Sequence, residues 1–263
     1  MSRYKKAFSK GKVLIPFTVI GDPDYRTSLE IVKTIINSGA DVLELGFAFS
    51  DPIADGPTIQ AADMRALNNK INTDRAFEFI KQIRKFSDIP IGLLVYSNLI
   101  YQKGINKFYK DAKKAGVDSI LVADMPIEEA KDYIKAGRKN KVDTVFIVSP
   151  LTSNERLKKI SEKIRGFVYV VARLGVTGAK VNMENDTLKL IRRIKPQTSL
   201  PLCVGFGISK PEHVKAIIKA GADGAIVGSS VVKIIEKNLN NKRIMLSKIK
   251  DYIQRMKNAT RGV

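Results

Sequence analysis

Two residue types that often build catalytic centres are nearly missing from this 263-residue chain, which has one histidine, His213, and one cysteine, Cys203. A single imidazole excludes zinc sites that need several histidines, and it leaves a Ser-His-Asp triad only one ring to be built on. A single thiol excludes an internal disulfide and any cysteine cluster. Cys203 sits inside a strand-like run and reads as a small buried hydrophobe. Long apolar runs are also lacking: the longest are about strand length, far short of the roughly 20 residues of a membrane-crossing helix. The start, Met1-Ser2-Arg3-Tyr4-Lys5-Lys6, is basic with no apolar stretch behind it. No secretory signal is therefore expected, and a reducing cytoplasm is the expected compartment. Neither a Walker A pattern nor G-x-G-x-x-G occurs, since Gly205-x-Gly207 is followed by Lys210 where a third glycine is needed. Nucleotide cofactors thus have no support.

Acidic residues are in deficit as well, 26 against 46 Lys and Arg, which leaves a formal charge of +20. Such an excess suits nucleic acid, an anionic membrane or a phosphorylated metabolite, and the distribution of the lysines decides among them. They fall at scattered helix-surface positions (Lys81, Lys85, Lys113, Lys114, Lys135, Lys158, Lys159, Lys215, Lys219) and are not interleaved with aromatics in one block. A solvated face is the simpler reading, so no nucleic-acid or membrane partner is expected. The densest group, Lys248 to Lys257, shares an amphipathic helix with Ile244, Leu246, Ile249 and Ile253, and packing explains it.

What the chain does have is alternation. Short β-branched runs at Val13–Val19, Asp41–Leu45, Pro90–Tyr96, Ser119–Val122, Asp143–Val148, Val168–Ala172, Leu202–Val204 and Gly224–Val227 alternate with stretches of helical period. A weak repeat supports this pattern. Gly39-Ala40-Asp41, Gly116-Val117-Asp118 and Gly221-Ala222-Asp223 each close a helix and open a strand. Eight strand–helix units without a Pro/Gly/Ser-rich linker predict an α/β fold, a (β/α)8 barrel forming one domain over residues 1–263. Strand starts lie 49 residues apart from the second to the third and 34 from the sixth to the seventh, against fewer than 30 elsewhere. An enlarged loop after strand two and a mobile loop after strand six are expected. Both would lie on the catalytic face, where loops leave the strand C-termini.

Within Val42-Leu43-Glu44-Leu45 the period of two sets Val42 and Glu44 on one face and the leucines on the other. With the leucines against the outer helices, Glu44 points into the barrel. It is then either a general acid or base with a raised pKa or the partner of an inward cation such as Arg173. The loop that follows, Phe49-Ser50-Asp51-Pro52-Ile53-Ala54-Asp55-Gly56-Pro57-Thr58, is stiff and turn-rich. Asp55 is the candidate second carboxylate, or else a capping residue for the helix beginning near Pro57, a role for which Asp51 competes. Gly205-Phe206-Gly207-Ile208-Ser209 and Gly228-Ser229-Ser230 follow strands seven and eight. They read as phosphate-holding turns at helix N-termini, with a capping box from Ser209 to Glu212, or as plain tight turns. The loop Arg173-Leu174-Gly175-Val176-Thr177-Gly178 suits a lid or a flexible connector. His213 reads as a solvated helix residue.

Leu43-Glu44-Leu45-Gly46 followed by Phe49 to Gln60 closely resembles the signature of the tryptophan synthase alpha subunit. Pro16-Phe17, Gly21-Asp22-Pro23, Val122 to Pro126, Gly175 to Gly178, Gly205 to Ser209 and Gly228-Ser229 follow in the family's order over nearly the whole chain. Other phosphate-sugar barrels, such as indole-glycerol-phosphate synthase or phosphoribosyl-anthranilate isomerase, share the last turns but do not need Glu44 with the Asp51-to-Pro57 loop. The resemblance implies a lyase that splits indole-3-glycerol phosphate into indole and glyceraldehyde 3-phosphate by retro-aldol cleavage, with no cofactor in this chain. It assigns catalysis to Glu44 and Asp55, and indole contacts to Phe17, Leu94, Leu121, Tyr169 and Phe206. Lid closure falls to Thr177, and phosphate binding to Gly178, Gly207, Gly228 and Ser229. Asp51 and Pro52 match positions that face a pyridoxal-phosphate beta subunit, which receives indole within an α2β2 complex. Phe47-Ala48 and Ala172 depart from the family, where Pro and Ser respectively are common.

Overall fold

The computed structural model describes residues 1–171, 183–205 and 207–261. Its strands are β1 (Val13–Val19), β2 (Leu43–Gly46), β3 (Ile91–Val95), β4 (Ser119–Val122), β5 (Asp143–Val145), β6 (Ile147–Val148), β7 (Val168–Val171), β8 (Leu202–Gly205) and β9 (Gly224–Val227). The helices are α1 (Arg3–Phe8), α2 (Tyr25–Asn37), α3 (Pro57–Asn68), α4 (Thr73–Arg84), α5 (Ser97–Lys103) and α6 (Ile105–Ala115), followed by α7 (Lys131–Asn140), α8 (Asn154–Lys163), α9 (Met183–Ile194), α10 (Pro211–Lys219), α11 (Ser229–Glu236) and α12 (Lys242–Asn258). The strands pair in the order β5-β4-β3-β2-β1-β9-β8-β7-β6. Every pairing is parallel. The two ends of that order are consecutive in the chain, so the sheet closes into the expected barrel. The expected fifth strand is the closing one, broken at Phe146 into β5 against β4 and β6 against β7.

Period-two alternation sorts the side chains. Leu43 and Leu45 join the layer between barrel and helices, whereas Val42 packs with Val13, Ile15, Leu121, Val145, Tyr169, Cys203 and Ile226 inside the barrel. Glu44 is thereby turned inward, in register with Phe17 of β1. Cys203 is fully buried, as its strand position requires.

The Gly-x-Asp repeat proves to be one device used three times at the N-terminal end of the barrel. Gly39, Gly116 and Gly221 have φ of 104°, 94° and 108°, which only glycine adopts cheaply. The aspartate two residues on then accepts an amide at the start of a neighbouring strand and a cation. Asp41 takes Leu14 N–H and the Lys257 ammonium. Asp118 takes Ile91 N–H and Arg84. Asp223 takes Leu202 N–H together with Lys12 and Lys195. Below them α1 caps the barrel floor: its Tyr4 is buried, with the hydroxyl 2.7 Å from Ser119 Oγ and the ring against Phe167.

The surplus after the second strand holds the loop to Gly56 and an additional helix, α3, before α4. The expected capping box at α10 does not form. Lys210 is the N-cap, without a side-chain cap, and Pro211 opens the helix, so Ser209 lies one residue too early. The segment after β7, including Arg173 and the expected mobile loop, lies outside the described residues.

Candidate active site

The cavity that collects most of the expected residues lies at the C-terminal ends of the strands and has a volume of about 300 Å³. Glu44, Asp55, Phe17, Leu94 and Tyr169 line one part of it, and Gly207, Ser209, Gly228 and Ser229 another. Leu121 is buried in the barrel interior beside Leu94 and Tyr169, not on the cavity wall. Thr177, Gly178 and Phe206 lie outside the described residues.

Two glycines make room for the aromatic walls. A Cβ on Gly46 would lie 2.7 Å from Phe17 Cζ, and one on Gly205 would lie 2.9 Å from the Tyr169 hydroxyl. Both rings therefore occupy space that any larger residue would take.

Glu44 is 4% exposed. Among the described residues its Oε2 has no hydrogen-bond partner. Burial pushes its carboxyl up to about 8; the Tyr169 hydroxyl opposes this and the charge of Asp55 adds to it. At neutral pH this carboxyl therefore holds a proton that it can give and take back.

Asp55 is held from the neighbouring strand. The Tyr96 hydroxyl donates to its Oδ2 at 2.7 Å and accepts the Ala54 amide at 3.1 Å. The Tyr96 ring also stacks on Phe49, with centroids 5.1 Å apart. Burial raises the Asp55 pKa, and the Tyr96 hydrogen bond pulls it back. Asp55 is not a cap: α3 is N-capped by Gly56, with Pro57 opening the helix. A third carboxylate was not singled out in the sequence. Asp63, on α3, is 4% exposed. Burial first, then the charge of Asp55, push it up to about 8, against a hydrogen bond from the Phe49 amide. Its position on the inward face of α3 beneath the loop was the available signal. Tyr96 was signalled by standing at the C-terminal end of an expected strand.

The other end of the cavity holds a helix N-terminus. α11 begins at Ser229 with Gly228 as N-cap and no side-chain cap, so its first amides and the positive end of its dipole face the cavity. Among the described residues no group of His, Cys, Asp and Glu is arranged to hold a metal ion. Of the loop positions expected at a partner, Asp51 is exposed whereas Pro52 is buried. The apolar group this loop presents outward is Ile53, 80% exposed.

A family model described as tryptophan synthase alpha chain matches residues 4–261. The chain is similar to the tryptophan synthase alpha chain of Methanothermobacter thermautotrophicus, 51% identical over 95% of this chain and 92% of that one. The Helicobacter pylori J99 alpha chain is 48% identical over 95% of this chain and 98% of its own length. Among solved structures, tryptophan synthase subunit alpha from Legionella pneumophila superposes with a TM-score of 0.91 at 33% identity over 100% of both chains. A chain of the tryptophan synthase α2β2 complex from Pyrococcus furiosus gives 0.87 at 40% identity, covering 94% of this chain and 98% of that one.

Proposed function

The chain belongs to the tryptophan synthase alpha chain family, and from that premise we propose that it cleaves indole-3-glycerol phosphate into indole and glyceraldehyde 3-phosphate. The observation that carries the reading is the cavity itself. A protonated buried carboxyl and a second, tethered carboxylate stand in the same cavity as an uncapped helix N-terminus.

In this mechanism the phosphate sits on Gly207, Gly228 and Ser229, with Gly178 completing the cradle, and the Ser229 hydroxyl adds a bond. The indole lies between Phe17, Leu94, Tyr169 and Phe206, with Leu121 as the floor beneath and Thr177 closing the lid toward Asp55. Glu44 delivers its proton to indole C3, and positive charge develops on the ring. Asp55 accepts the indole N–H and stabilises that charge. The bond from C3 to the glycerol carbon then breaks, its electron pair restoring the aromatic indole. The side-chain hydroxyl becomes the aldehyde and returns its proton to Glu44. Charge in equals charge out, and the chain needs no cofactor of its own.

A beta subunit carrying pyridoxal phosphate would receive the indole, in an α2β2 assembly. Ile53, Tyr101 and Leu151 support a partner on this face. They are 80%, 72% and 77% exposed, and they stand in segments leaving β2, β3 and β6 at the catalytic end. Asp51 adds a charge to that rim.

The test is indole release from indole-3-glycerol phosphate by the purified chain, alone and with a beta subunit. Slow release that the partner accelerates supports both cleavage and assembly. No indole under either condition rejects the reading.

A further inference from the structure

The chain's one imidazole stands in the cavity and not on a solvated helix face. His213 occupies the first turn of α10, is half-buried, and lines the cavity beside Gly207 and Ser209. Its Nδ1 lies 3.1 Å from the Gly207 carbonyl oxygen and 3.4 Å from the Ser209 amide nitrogen. One ring nitrogen cannot serve both. As an N–H it donates to the carbonyl and leaves the Ser209 amide free; as a lone pair it accepts that amide and abandons the carbonyl. Nε2 has no partner among the described residues.

A ring that carries its proton on Nδ1 has two consequences, and each favours an anion. The Nδ1–H fixes the Gly207 carbonyl, pinning a turn whose glycine has a φ of 83°. The Ser209 amide is released to a ligand.

We propose that His213 is a positioning residue for the phosphate group of the substrate, acting through the Gly207–Ser209 turn. The proposal rests on the phosphate assignment made above, and the experiment separates the two.

His213→Ala and His213→Gln are compared with the parent on indole-3-glycerol phosphate and on indole-3-glycerol, which lacks the phosphate. Inorganic phosphate is titrated calorimetrically into all three proteins. For His213→Ala, KM for the phosphorylated substrate should rise about tenfold, the loss of one hydrogen bond, with kcat within about twofold. Phosphate affinity should fall by a similar factor, and cleavage of indole-3-glycerol should be unchanged. Glutamine can still donate to the Gly207 carbonyl from a longer, more mobile side chain, so its values should fall between. Equal losses on both substrates would make His213 merely structural, and no loss on either would overturn the proposal. A parent that releases no indole would reject the reaction, while the phosphate titration would still decide the role of His213.

Discussion

Glu44 combines catalysis with a cost in stability. Glutamine keeps its shape but cannot transfer the proton, so Glu44→Gln should lower kcat by about 10²- to 10⁴-fold with little change in KM. Steady-state indole release checks this. The same substitution reads out the burial. With pKa values pushed up to about 8 in the fold, Glu44 and Asp63 bind protons there that the unfolded chain has already released. Their contribution to native stability therefore falls as pH rises from the ordinary carboxylate range toward 8. Melting curves should show Glu44→Gln gaining on the parent as pH increases from about 6 to about 9, since both must ionise Asp63 but only the parent must also ionise Glu44. A gap between the two that does not vary with pH would mean that Glu44 is not held protonated. Tyr96 acts on the other carboxylate. Tyr96→Phe removes the hydrogen bond that favours ionised Asp55, so the Asp55 pKa should rise further, and the acidic limb of the kcat/KM profile should move to higher pH.

At the scale of elements, the Gly-x-Asp repeat ties strand starts together at the end of the barrel away from the chemistry. Asp118 receives Ile91 N–H, Arg84 and Arg3, and the Arg84–Asp118 pair is 12% and 11% exposed. Asp118→Ala leaves the nearly buried Arg84 guanidinium bonded only to the Gly116, Ser87 and Ile89 carbonyls, with no counter-charge, and orphans the Ile91 amide, and should cost about 3 kcal/mol. Denaturant unfolding midpoints measure that loss, with kcat of the folded protein unchanged. A loss below about 1 kcal/mol would place the pair in the class of surface ion pairs. This repeat, the strands and the inward turn of Glu44 could be read from sequence because each rests on local rules: period-two alternation and glycine's tolerance of positive φ. α1 and α5, of six and seven residues, are too short to show a helical period. The break at Phe146 arises from closing the ring, which no local pattern records. His213 was misplaced for a related reason. Spacing along α10 gives the face of the helix, but the turn folded back beside it depends on Lys210 taking the cap position that Ser209 was expected to fill.

The whole molecule carries 46 − 26 = 20 more cationic than acidic side chains. Even if every carboxylate were paired, that excess would repel itself, so added salt should screen more repulsion than attraction. Raising potassium chloride from about 0.02 M to about 0.5 M spans Debye lengths from well above to well below 10 Å. The melting temperature should therefore rise over that range, whereas a fall would mean that the ion pairs outweigh the net charge. The same screening weakens attraction of an anionic substrate, so KM should increase as the protein becomes more stable. Phosphate separates the general field from the site. At equal ionic strength, potassium phosphate should add a second rise, growing with the logarithm of its concentration above Kd, through binding to the native state alone. Because that increment depends on the cavity and not on the surface charge, it should shrink in His213→Ala while the chloride response stays the same.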